Sequence, residues 1–168
     1  MERLFLSYSI EKMRQSEGRI QHCLQLLSAD QVWWRGAEEC NSVANLVLHL
    51  CGNVRQWIIA SIGGQRDLRQ RDSEFAARDD VSIQELRTML QETVEEAVLT
   101  IGRVTPQRLT ETVHIQGYEK SVLEAIYHVV EHFSLHTGQI LYATKLLRKT
   151  DLGFYKHLDN PTHDEKTP

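Results

Sequence analysis

The residues of this chain best suited to chemistry are three histidines, His128, His132 and His136, spaced four apart in the segment 121–149. In a helix, residues four apart lie almost above one another, because each residue turns the chain about 100° and lifts it about 1.5 Å. Two imidazoles stacked this way lie about 6 Å apart along the axis and can aim ring nitrogens at one ion. His-x-x-x-His is a common way for a single helix to offer two neutral nitrogen ligands to Zn²⁺, Ni²⁺ or Fe²⁺. The alternative is a set of ordinary histidines on a polar face. That reading suits one histidine better than three in register.

The segment that carries them reads as a helix. A capping box, Ser121-x-x-Glu124, opens it, and Val122, Ile126, Val129, Val130, Phe133, Thr137, Ile140 and Leu147 share one apolar arc. His136 falls at the edge of that arc, His132 one step outward and His128 a further step, since four residues cover slightly more than one turn. His132 and His136 are therefore the inward pair. His128 is expected to support them from outside or to lie at the surface.

One helix leaves a metal short of ligands, so a third should come from another. A second helix is expected to start after Asn41 or Ser42 and to stop at Ile62-Gly63-Gly64. On it Leu46, Leu50, Val54, Trp57 and Ser61 follow the core direction, flanked by Val43 and Val47, while Asn45, His49, Asn53 and Gln56 form a polar strip on one border. His49 is the only histidine there, and alone it would read as a satisfied core residue. Depth adds to the case. His49 lies 13 residues before Ile62, and His132 and His136 lie 11 and 15 after Ser121. Antiparallel packing of the two helices brings all three to one level, about 20 Å from that end of the bundle, whereas parallel packing misplaces them by roughly 6 to 12 Å.

Two more helices complete the set. The first spans about 2–27, with Leu4, Tyr8, Met13, Ile20, Leu24 and Leu27 in a broad stripe, and Ser28-Ala29-Asp30 is expected to end it before a Trp-rich connector, 31–40. The third opens on the capping box Ser82-x-x-Glu85 and runs to about Val104. Thr105-Pro106 then restarts one short turn, and 111–120, with Gly117, reads as a loop or small hairpin. The result is an all-α four-helix bundle. The connection 63–81 is too long for a simple turn and suits an overhand crossover, with helices two and three parallel. One domain over 1–155 and a polar tail over 156–168 are expected.

Composition narrows the function. The 168 residues are 41% hydrophobic and 25% charged, with a net charge of -4, which gives no electrostatic reason for a nucleic-acid partner. Arg66, Arg69 and Arg71 are interrupted by Asp67 and Asp72, so they read as a solvated loop. No apolar run is long enough for a bilayer, and the N-terminal residues lack a signal-peptide pattern. Three cysteines without Cys-x-x-Cys spacing argue against a disulfide framework and a thiolate zinc site, and the cytoplasm is the expected compartment. There is no His-Glu-x-x-His and no paired Glu-x-x-His, which excludes a zincin protease and a ferritin-like di-iron site. Cys51 points about 160° away from His49 and is a poor co-ligand.

The stretches Asn45-Leu46-Val47-Leu48-His49-Leu50-Cys51-Gly52-Asn53 and His132-Phe133-Ser134-Leu135-His136-Thr137-Gly138-Gln139 resemble the DinB/YfiT-like superfamily of metal-binding four-helix bundles. With Trp33-Trp34, Gln116-Gly117-Tyr118 and Leu152-Gly153-Phe154, the resemblance covers nearly the whole chain and points to an uncharacterised branch. It implies an up-down-down-up bundle whose metal is held by His49, His132 and His136. It also implies a range of activities, among them thiol-dependent transferases and isomerases and metal-dependent hydrolases.

An open site of three neutral histidines suits catalysis, because the ion can lower the pKa of bound water, polarise an oxygen or activate a thiolate. Zn or Ni is the expected ion, with Fe or Mn as further options, alongside a low-molecular-weight thiol. Asn53, Gln56 and Gln139 are candidates to orient ligands or substrate and are equally read as face polarity; Tyr118, Trp34 and Tyr127 are candidates to line the mouth, though core or rim packing suits such aromatics better. No general base is evident, since Glu131 is turned about 100° from His132. A metal-dependent enzyme on a small molecule is one reading, and a non-catalytic metal- or ligand-binding module is the other. A homodimer is expected from Leu48 and Ile59, apolar residues turned away from the main core of helix two.

Overall fold

The computed structural model describes residues 1–156; of the tail expected from 156 onward, all but Lys156 lies outside them. The chain begins with α1 (Glu2–Leu26), a short α2 (Ala29–Trp33), and α3 (Val43–Val54), which runs on through a π-helical stretch, Arg55–Ala60. A short α4 (Arg71–Ala76) lies in the crossover, before the long α5 (Ile83–Gly102). A 3₁₀ turn (Pro106–Thr110) and the antiparallel strands β1 (Thr112–Ile115) and β2 (Tyr118–Ser121) lead into α6 (Val122–Arg148). The strand turn is a two-residue connection in which Gln116 (φ 53°) and Gly117 (φ 80°) are both left-handed, the geometry that matches strand twist.

Serines set the helix starts. Ser28, Ser42, Ser82 and Ser121 each close a reciprocal box with Gln31, Asn45, Glu85 and Glu124, satisfying amides that the first turn leaves free. Ser28 therefore begins α2 as well as ending α1, and the connector expected from residue 31 starts inside a helix. Ser121→Ala is expected to cost about 1 kcal/mol, read as a lower urea midpoint at unchanged slope. An unmoved midpoint would mean that burial alone fixes the start of α6.

Side-chain pairs give the helix directions. His49 meets His132 and Trp57 meets His128, so α3 and α6 are antiparallel. Cys51 lies beside Thr93, Arg55 pairs with Glu96, and Gly63 packs against Thr100, so α3 and α5 are parallel. Gln21 exchanges hydrogen bonds with Arg87 while Glu17 lies near Glu95, which makes α1 and α5 antiparallel. The bundle is up-down-down-up, and the crossover is the segment that makes the middle pair parallel.

Its core joins Met13, Ile20 and Leu24 of α1, Leu50 and Val54 of α3, Leu86, Leu90 and Ile101 of α5, and Ile126, Val129, Phe133 and Ile140 of α6. Burying each such side chain is worth about 1.5–3 kcal/mol, which gives this bundle a stability of its own. The face expected to meet a second copy is covered within the chain. Ile59 is 3% exposed and Leu48 half-buried, and both line a cavity of about 450 Å³ roofed by the crossover residues Arg66 to Gln70. These two residues therefore pack within the chain, and a second copy is an expectation that light scattering at micromolar concentration tests. No helix among the described residues is long and apolar enough to cross a membrane.

Candidate metal centre

α3 places His49 four residues beyond Asn45, and Asn45 anchors more than its own helix. Its carbonyl oxygen accepts from Ser42 and from Arg35 (2.6 Å), while its amide donates to the backbone oxygens of Glu74 (2.8 Å) and Ala77 (3.2 Å). α4 is thereby fastened across the start of α3. This attachment sets the height of Glu74 beside His49.

Three imidazoles converge between α3 and α6. His49 Nε2 and His136 Nε2 each lie 3.1 Å from His132 Nε2, and one ligand atom from each ring falls within 4.8 Å of the others. Burial, reinforced by His136 and His49, holds the His132 imidazolium down to a pKa of about 3. Burial also lowers His136, against an opposing hydrogen bond to Gln139. Both rings are therefore neutral at pH 7, the state a metal requires of an imidazole ligand. His132 Nδ1 is buried without a hydrogen-bond partner among the described residues.

The opposite side of His49 is charged. His49 Nδ1 lies 2.9 Å from Glu74 Oε2, and Arg69 donates to both carboxylate oxygens, Nε to Oε1 at 2.7 Å and Nη2 to Oε2 at 2.9 Å. Burial alone would raise the Glu74 pKa; hydrogen bonds from Arg69 and His49 outweigh it and hold the carboxyl below its ordinary range. The Phe75 ring packs on His49 at 4.7 Å between centroids. Gly52 makes room for the pair: a Cβ there would land on Glu74 Oε1 and come within 3.0 Å of Arg69 Nε.

Arg69 corrects the reading of 66–71 as a solvated basic loop. Its side chain is 3% exposed, while Arg66 and Arg71 do face solvent. Glu74 was not among the residues that periodicity singled out, because it belongs to a crossover helix of six residues. One signal for both existed in the sequence: Gly52, inside a helix and three residues from His49, marks a close approach.

The other expected site residues are distributed around this centre. Gln56 accepts from Arg69 Nη1 (2.9 Å) and from Gln116 (2.6 Å) and donates to Asp67 (2.7 Å), tying the strand turn to the crossover. His128 is half-buried, tilted against Trp57 at 4.1 Å between centroids and stacked 5.6 Å from His132, outside the convergent set. Gln139 is exposed and lies 2.7 Å from His136 Nδ1. Asn53 is buried, with its carbonyl oxygen unpartnered. Trp34 lines a groove of about 240 Å³ with Gln139, whereas Tyr118 and Tyr127 are exposed. Glu131 faces solvent as expected, and burial pushes the Cys51 thiol up to about 12, too high for a ready ligand.

Solved structures share this architecture at low sequence identity. They include the DinB-like protein YjoA of Bacillus subtilis, with a TM-score of 0.68 at 16% identity over 88% of this chain and 97% of that one. A conserved protein of Enterococcus faecalis gives 0.71 at 14% over 86% and 97%. The mycothiol-dependent maleylpyruvate isomerase gives 0.64 at 14%, over 80% of this chain but 60% of that one. The fold is thus that of the DinB-like four-helix bundles. Residues 1–159 match the family model described as protein of unknown function DUF1572, and the chain belongs to that family. No curated protein matches it in sequence.

Proposed function

We propose that this chain binds one divalent ion, Zn or Ni, through His49, His132 and His136 and uses it on a small molecule, with thiol transfer as the reaction type. The convergence of three Nε2 atoms carries the reading. Nitrogens about 2.0–2.1 Å from one tetrahedral ion lie about 3.3 Å apart, so the observed 3.1 Å spacings suit such a donor set. When bound, the ion supplies Lewis acidity to whatever ligand fills its open position.

Charge favours an anionic ligand there. The three histidines contribute none, and Arg69 cancels Glu74, so a divalent ion keeps its full charge for a thiolate or another anion. Among the described residues Glu74 is the carboxylate on the cluster, and it is committed to Arg69 and His49 rather than free to activate water. A thiol brings its own nucleophile and needs no such base. The mycothiol dependence of one protein of similar fold supports the same choice. Unpaired Cys23, Cys40 and Cys51 suit the reducing cytoplasm in which such a thiol would be supplied.

Metal analysis of untagged protein should find about one divalent ion per chain. Loaded protein is then assayed for consumption of low-molecular-weight thiols with electrophilic acceptors, and for ester and amide hydrolysis without thiol. Metal-dependent thiol transfer is the expected result. Hydrolysis without thiol would reassign the reaction, and a bound ion inert in both assays would make the chain a binding module.

A further inference from the structure

Resting on the metal reading above, we propose that the crossover supplies a positioning residue, Glu74, which fixes the tautomer of His49 and so decides which of its nitrogens faces the ion. An ionised carboxylate can only accept hydrogen bonds. The His49 Nδ1 that lies 2.9 Å from Glu74 Oε2 therefore carries the ring proton, and the lone pair is left on Nε2. That is the atom 3.1 Å from His132 Nε2. Arg69 Nη2 is 3.2 Å from the same Nδ1 and has a second N–H to offer, but a bare Nδ1 would set its lone pair against those of Glu74 Oε2 at 2.9 Å, so the closer carboxylate decides where the proton sits.

The three histidines differ in this respect. His136 Nδ1 rests on the neutral amide of exposed Gln139, and His132 Nδ1 has no partner. His49 alone has a charged anchor, held by a buried arginine that is braced in turn by Gln56. A carboxylate on the far nitrogen also makes an imidazole a better donor to metal. Gly52 is part of the same device, since any side chain there would push Glu74 off the ring.

The test uses the full chain as wild type, Glu74→Ala and Gly52→Ala. Two-bond ¹⁵N–¹H correlation on metal-free protein reports each imidazole tautomer, and a competition titration reports Zn²⁺ affinity. Wild-type His49 should be wholly Nδ1–H. Both variants should turn it into a tautomer mixture and weaken zinc binding about 10–100-fold. An Nε2–H His49 in the wild type, or variants that keep its tautomer and wild-type affinity, would overturn the proposal. If the wild type binds no zinc, the metal reading fails, while the tautomer comparison still decides the role of Glu74. If Glu74→Ala does not fold, the wild-type tautomer and Gly52→Ala, which keeps both charges, decide it.

Discussion

His132→Ala is expected to abolish tight binding of a divalent ion while leaving most of the helical circular-dichroism signal. His132 is the middle member of the cluster, 3.1 Å from each of the other two nitrogens, so its loss leaves two donors from different helices with nothing between them. The fold has little to lose. Phe133, Val129 and Ile126 anchor α6 independently of the ring, and His132 Nδ1 is a buried polar atom without a partner. Removing such an atom relieves about 1–3 kcal/mol of desolvation cost, which offsets lost packing and keeps the metal-free variant near wild-type stability. Wild type should then gain about 2.7 kcal/mol at a metal concentration a hundredfold above Kd, and the variant nothing. Thermal melts with and without metal, with metal content on the same samples, make the comparison. Full occupancy in the variant would remove His132 from the ligand set, and its complete unfolding would make the site structural.

Arg69→Met should be the more damaging change to the metal-free protein. It keeps the length of the side chain and leaves the Glu74 carboxylate, 9% exposed, without its principal partner. Breaking a buried pair from one side costs about 3–5 kcal/mol at pH 7. The cost should fall with acid, and the sign follows from the carboxyl. Although burial opposes it, Arg69 and His49 hold Glu74 below its ordinary pKa in the folded chain. Its contribution is therefore complete above the ordinary carboxylate range and is lost as pH falls through the lowered folded value. The variant has little of that contribution to lose, so the two stabilities should converge below about pH 4. Urea midpoints at pH 7 and about pH 3 measure this. A gap of constant size would mean that Arg69 acts through packing and its bond to Gln56 instead of its charge.

The histidines were legible because helices write their geometry in sequence. Four-residue spacing and the apolar arc gave the facing of His132 and His136, and the distance of His49 from Ile62 gave its depth. The overhand topology followed from the length of 63–81. The charged half of the site was not legible in the same way. Arg69 and Glu74 lie among alternating charges, where no period distinguishes an inward side chain from a solvated one, and their burial depends on contact with Gly52 across the crossover. The π-helical stretch was equally hidden. At Arg55–Ala60 the chain departs from 100° per residue, a change that no spacing of apolar residues announces, although Trp57 still lands in the core and Gln56 on its polar border.

The sequence distances within the centre also order its assembly in time. His49 and Glu74 are separated by 25 residues, and Arg69 and Glu74 by five, so α3 and the crossover can close on each other through a short loop. His132 is 83 residues from His49 and arrives only when α6 docks. Closing that larger loop is the slower event, and the third and fourth helices must already be formed to deliver the ring. An ion that needs both helices in place is expected to act as a lock on the exit, slowing unfolding far more than it hastens folding, and rates measured with and without metal check this.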